Sequence, residues 1–397
     1  MSIMKRGGSA KKVRAYETRL ELGGRRNVAG MTSAQQNTTA AGPPLVDWDL
    51  AVSTAGRLIR PGPQVSRSEA VAAVQALRRL ADVADGHVRE LTGLEPIGAL
   101  PPTRVVDRIG WVEANATGLA SLMGPLLTRL AERRETQPGR RAAAMGARVT
   151  GAQAGVVLSF LAGKVLGQFE LFGKQGGELL LVAPNVVEVE RSLGIDPGDF
   201  RLWVCLHECT HRLQFSAVPW LGEHLATRVE ALVAALDLDP KVLRDRLSAA
   251  VRELAKAARG DDTGQGLLAL VQGAESKAIM DEITALMSLV EGHAEYVMDA
   301  VGPEVVPSVA AIRAKFDRRR KGSGVFDRMV RRLLGIDVKM RQYAEGGAFV
   351  RAVVDAIGME GFNAVWSSPE ALPRYPELAR PLDWVERVHG YRPAAAS

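Results

Sequence analysis

Three observations predict a mainly helical α+β fold with a small sheet. Apolar residues recur at helical spacing through most of the chain from Trp48 onward. Only one short apolar run reads as a strand. A His-Glu-x-x-His motif lies inside a helical stretch near the middle of the chain.

Each element carries its own signal. "SRSEAVAAVQALRRLADVADGHVRELTGL" (66–94) has Ser66 or Ser68 as an N-cap ahead of apolar residues at helical spacing. "DRIGWVEANATGLASLMGPLLTRLAERRE" (107–135) repeats that pattern. "GRRAAAMGARVTGAQAGVVLSFLAGKVLGQF" (139–169) is read as further helix, in one piece or two. The period then changes. "GELLLVAPN" (177–185), bounded by Gly177 and by Pro184–Asn185, is read as one buried strand. "VVEVERSLG" (186–194) is a short helix stopped at Gly194. The next helix takes Asp196 or Asp199 as N-cap with Pro197 in its first turn, and it contains "LWVCLHECTHRLQF" (202–215). Helix is expected over 221–258, a flexible loop at "GDDTGQG" (260–266), and helix again over 273–300 and 303–321. A basic "RRRKGSG" run (318–324) interrupts the pattern. "FDRMVRRLLGID" and "KMRQYAEGGAFVRAVVDAIG" resume it, and a Pro-rich segment ends in a last helix.

Composition narrows the class. A chain of 397 residues with 47% hydrophobic and 24% charged residues can bury a large core unaided. Two cysteines provide no disulfide framework. The net charge of +6 resides in residues 1–42, where eight Lys and Arg face Glu17 and Glu21, so the remainder is neutral. Residues 1–43 are therefore read as a disordered basic leader, and 44–397 as one domain. Its helical N-terminal part is 44–170 and its metal-site part 171–397. No specific nucleic-acid surface is expected. The leader lacks the apolar core of a secretory signal. The most apolar stretch, 149–169, is interrupted by Lys164 and falls short of the roughly 20 apolar residues a span needs. A cytoplasmic protein without a membrane span is the expectation.

The motif carries the chemistry. On a helix, His207 and His211 lie about 40° apart and one turn, roughly 6 Å, along the axis. Two imidazoles so placed can converge on one cation, with Glu208 beside them as general base. Cys205 and Cys209 fall on the opposite, apolar side and are read as buried small hydrophobes. Gln214 shares the histidine face one turn further on. It is a candidate to line the cleft, bind substrate backbone or make a structural contact.

A tetrahedral zinc site needs a third protein ligand. The spacing HExxHxxGxxH fails, because residue 214 is Gln and residue 217 is Ala. Glu223 or His224 is one alternative. The other is "MSLVEGHAEYVMDAV" (287–301), where Glu291 and Glu295 share a face and Ala294 allows close packing. Glu291 is the preferred ligand, with Glu295 accepting a hydrogen bond from a ligand imidazole. This E-x-x-A-E stretch resembles the third-ligand helix of gluzincins, where ExxxD is common; Glu here replaces Asp. His293, about 200° round the helix from Glu291, is not expected to bind the same ion. Tyr343 and Tyr296 are candidate oxyanion donors.

Together, "LWVCLHECTHRLQF", "VPWL", "LMSLVEGHAEYVMDAVG", "GAQAGVVLSFLAGKVLGQFELF" and "KMRQYAEGGAFV" resemble an actinobacterial family of zincin-like proteins regarded as zinc-dependent metalloproteases or hydrolases. One branch is associated with biosynthesis of a deazaflavin coenzyme. The resemblance covers about 45–390. It implies a zincin-like fold, a Zn²⁺ cofactor and a peptide or protein substrate. In zincin-like folds a strand before the active-site helix can pair with an extended peptide, and 179–183 is the expected strand. The resulting expectation is a gluzincin-type metallopeptidase. The alternatives are an amide or ester hydrolase of small molecules using the same residues, and a non-catalytic zinc-binding scaffold.

Overall fold

The computed structural model describes residues 45–132, 139–173, 177–235, 248, 252, 274–322 and 340–393. The leader 1–43, the loop 260–266 and the helical stretch 326–337 expected from sequence lie outside these residues. Helices dominate, and three short strands form one sheet in the order β1–β3–β2.

The chain enters through α1 (Trp48–Leu58) and α2 (Arg67–Thr92). A capping box opens α2: Ser66 Oγ accepts from the Glu69 N–H, and the Glu69 carboxylate accepts from the Ser66 N–H. Gly93, with φ 66°, closes it. Strand β1 (Thr103–Val106) follows Pro101 and Pro102, and α3 (Arg108–Glu132) and α4 (Arg140–Ala162) come next. Glycines let α4 cross α1 closely. A carbon added at Gly151 would sit 2.2 Å from the Asp47 carbonyl oxygen, and one at Gly155 2.4 Å from that of Ala51.

The sheet departs from expectation twice. Residues 139–169 do not remain helical: α4 ends at Ala162, and Gly167–Glu170 form β2. Gly163 and Gly167 interrupt the helix, and the apolar run between them is too short for periodicity to separate helix from strand. Strand β1 was not expected at all. The anticipated strand does form, as β3 (Glu178–Val182), but at the centre of the sheet. It pairs parallel with β1, Thr103 opposite Leu179, and antiparallel with β2, Gly167 opposite Leu181. Leu179, Leu180, Leu181 and Val182 are fully buried, as suits a strand covered on both faces. Because both edges of β3 are occupied, it cannot take an added peptide strand. That corrects the sequence-based expectation.

Helix α5 (Ala183–Leu193) leads to α6 (Pro197–Ala217), where the Asp196 side chain caps the Asp199 N–H at 3.0 Å. One face of α6 packs on α2. The thiols of Cys205 and Cys209 lie 3.8 and 3.3 Å from the carbonyl oxygens of Leu77 and Ala81. Both thiols are buried, and burial pushes the Cys209 pKa up to about 12, so neither is a thiolate. Leu206 and Leu213 are completely buried in the same core, each contributing about 1.5–3 kcal/mol of burial.

After α7 (Pro219–Ala235), α8 (Ala274–Ala300) crosses the other side of α6. Short α9 (Gly302–Val305) and α10 (Val309–Gly322) follow, and then α11 (Met340–Phe362), which kinks at Gly358 with φ 75°. Gly292 of α8 meets Gly346 of α11 so closely that a carbon added at either would strike the opposing backbone, at 2.2 and 2.0 Å. Three 3₁₀ turns lead to α12 (Pro381–His389). Among the described residues no helix is long and apolar enough to cross a membrane.

Candidate metal centre

The helical spacing of His207 and His211 brings their Nε2 atoms to 3.1 Å from each other. Helix α8 supplies Glu291, whose Oε2 lies 3.5 Å from His207 Nε2 and 3.7 Å from His211 Nε2. Among the described residues this trio is the one group of three or more His, Cys, Asp or Glu side chains whose donor atoms converge in this way. With bonds near 2.05 Å, two ligands of a tetrahedral zinc stand about 3.3 Å apart. The observed spacings bracket that value, and two imidazoles with one carboxylate form a zinc-type donor set, so the residues fit the ion. Side chains of His207 and Glu291 are both 29% exposed, which leaves the cluster open on one side.

The outer ring nitrogens turn away from the trio. His211 Nδ1 is 3.0 Å from Gln214 Oε1, and His207 Nδ1 is 3.2 Å from Met298 Sδ. Gln214, completely buried, also donates from Nε2 to the Val290 carbonyl at 3.0 Å and to His293 Nδ1 at 3.0 Å. His293 is itself fully buried beside Phe362 and Trp366.

Glu208 is buried next to the trio. Desolvation is the main cause raising its pKa to about 8. His211 opposes that shift and Glu291 adds to it. For His211, burial is the largest influence and pulls the pKa down, but Glu291, Glu208 and the Gln214 hydrogen bond together outweigh it and the value rises to about 9. His293, buried and next to His211, drops to about 3 and stays neutral.

Strand β2 abuts this carboxylate. A carbon added at Gly167 would lie 2.6 Å from Glu208 Cγ and 2.9 Å from its Oε1. Phe169, two residues on and so on the same face, stacks on Phe215 of α6 at 5.9 Å. On the other face Gln168 accepts from Trp111 Nε1 at 2.9 Å. The Val182 N–H donates to the Leu166 carbonyl. Antiparallel alternation then directs the N–H and C=O groups of Gly167 and Phe169 away from β3, to the outer edge of the sheet.

Other candidates fall elsewhere. Glu295 does not reach either histidine: its Oε1 accepts from Arg313 Nη1 at 2.8 Å. Arg313 also pairs with Asp299, which Arg351 holds at 3.3 Å. The outer ring nitrogens of His211 and His207 face Gln214 and Met298 instead, and α10 brings Arg313 against Glu295. Glu223 and His224 lie on α7 outside the trio, and His224 packs edge-on against Trp220. Tyr296 is a partly buried packing residue shared by two cores. The side chain of Tyr343 lies outside the described residues. Sequence reasoning missed Gly167, Met298 and His293 as neighbours of the site. Only the glycine left a trace in sequence, as a break in an apolar run. A cavity of about 440 Å³ lined by Arg78, Asp82, Asp85 and Arg212 includes no member of the trio.

Comparison with known proteins finds a matching family and a similar solved structure. A family model described as zincin-like metallopeptidase matches residues 46–385. A crystal structure from Chloroflexus aurantiacus, described as a candidate hydrolase with a novel fold, is 30% identical, with a TM-score of 0.61. The match covers 87% of this chain and 99% of that one. No curated protein matches.

Proposed function

Because this chain belongs to the zincin-like metallopeptidase family, we propose that it is a zinc-dependent peptidase of the gluzincin type. His207, His211 and Glu291 hold the ion and Glu208 is the general base. The observation that carries this reading is the convergence of three donors, at spacings suited to a tetrahedral ion, beside a buried glutamate.

Zinc, when bound, supplies Lewis acidity that polarises a carbonyl and lowers the pKa of water. The chain's own residues do the rest. His207 and His211 present Nε2, and Glu291 presents Oε2 from a separate helix. The Glu208 carboxylate takes a proton from the attacking water and passes it to the departing amine nitrogen. Its place on the same helix as both histidines, buried beside the trio, suits this task. The outer edge of β2 is the place for an extended substrate, held by the N–H and C=O groups of Gly167 and Phe169. Main-chain pairing of that kind favours a peptide over a small amide or ester. A non-catalytic zinc scaffold would have no use for Glu208. The association with deazaflavin coenzyme biosynthesis rests on sequence resemblance and adds no chemistry to the site.

The test joins elemental analysis to a peptide-library cleavage screen. One zinc per chain with cleavage abolished in Glu208→Gln is the expected result. A metal-free wild-type protein, or cleavage that survives in Glu208→Gln, would refute the reading.

A further inference from the structure

We propose that His293 is a positioning residue, which through the Gln214 amide holds His211 in the tautomer able to bind zinc. The inference rests on the peptidase reading above for its metal and on hydrogen-bond logic for the rest. The Val290 carbonyl can only accept, so the atom of the Gln214 amide 3.0 Å from it is the nitrogen. The amide oxygen therefore faces His211 Nδ1, also at 3.0 Å. An oxygen there can only accept, so in the neutral imidazole His211 Nδ1 carries the proton and Nε2 presents its lone pair toward His207 and Glu291.

The second amide hydrogen of Gln214 points at His293 Nδ1, 3.0 Å away. That nitrogen must be bare, which leaves the His293 proton on Nε2, a buried atom with no hydrogen-bond partner among the described residues. An unpaired buried donor is destabilising, and an apolar side chain would fill the space beside Phe362 and Trp366 without it. What histidine adds is an uncharged acceptor. A carboxylate at this position would also hold the amide, but it would add a buried negative charge two residues from Glu291. His293 thus orients a zinc ligand at two removes while leaving the charge of the site unchanged.

Two variants separate this role from packing. Asparagine places its Oδ1 close to the position of the imidazole Nδ1, whereas leucine supplies no acceptor. In competition with a zinc chelator, His293→Leu is expected to bind zinc about tenfold more weakly or worse. His293→Asn is expected to stay close to wild type. Circular dichroism confirms that each variant is folded. A second readout needs no metal. Nitrogen-15 spectra of the zinc-free protein in alkaline buffer, where the imidazoles are neutral, should show His211 as the Nδ1–H tautomer in wild type and His293→Asn, and as a mixture in His293→Leu. Equal zinc affinity in all three proteins, or an Nε2–H tautomer for His211 in wild type, would overturn the proposal. If wild type binds no zinc, the peptidase reading fails, and the spectra still decide the relay.

Discussion

Gly167 and Glu208 occupy one space: the glycine on β2 has no side chain where the glutamate carboxylate lies. The contact joins the sheet edge to the proposed base. In Gly167→Ala the new methyl must displace the carboxylate or the strand. The expected outcome is retained zinc with peptide hydrolysis reduced tenfold or more, read by elemental analysis beside a cleavage assay. An alanine variant with full activity would disconnect the strand from the chemistry.

Ligand removal separates binding from catalysis. Glu291→Ala should lose zinc, because two imidazoles alone leave the set one protein ligand short. Glu208→Gln should keep it. Chelation should lower the Tm of wild type and leave Glu291→Ala unmoved, since an ion bound only by the native state stabilises that state. Zinc retained at wild-type affinity in Glu291→Ala would transfer the ligand role to another residue.

Zinc-free protein should lose stability as pH rises from about 6.5 to 9. Folded Glu208 and His211 hold their protons to about 8 and about 9, above the ordinary 4.5 and 6.5. The native state therefore binds protons that the unfolded chain has already released. That stabilisation is complete below the unfolded values and disappears as pH passes the folded ones. Each such proton is worth at most about 1.4 kcal/mol per pH unit. His293, with its pKa lowered to about 3, acts in the opposite sense but only below about 6.5. Thermal melts across this range should show the fall, and Glu208→Gln should reduce it. A Tm that climbs from pH 6.5 to 9 would contradict the assignment.

Glu295→Gln should leave zinc content unchanged, because the side chain pairs with Arg313 and not with a ligand imidazole. Both partners are 27% exposed, so the stability cost should stay within about 1 kcal/mol. Denaturant titration and metal analysis check both statements. Loss of zinc in this variant would return Glu295 to the role expected from sequence.

What could be read from sequence was whatever depends on local spacing. The one-turn separation of His207 and His211 places two imidazoles on one face whatever surrounds them, and Cys205 and Cys209 fall opposite for the same reason. Strand β3 was legible because an unbroken apolar run between turn residues suits a strand covered on both sides. Its central place was not legible, because that depends on β1 and β2, two four-residue segments with no periodicity to detect. The partners of the imidazoles were hidden as well. Glu295 has the right spacing from Glu291, but nothing local announces that Arg313 will claim it. The pairing of Gln214 with His293 and of His207 with Met298 exists only once α6 and α8 cross.

That crossing has a topological consequence. The trio draws donors from two helices, and about eighty residues of chain run from His211 to Glu291. An ion held there is a reversible crosslink that closes a long loop. Like a disulfide, it would remove conformations available to the unfolded chain, and by an amount that grows only slowly with loop length. Unlike a disulfide, it responds to metal supply and not to redox state, so the same three side chains would set both when the protein is competent and how firmly α6 and α8 are tied.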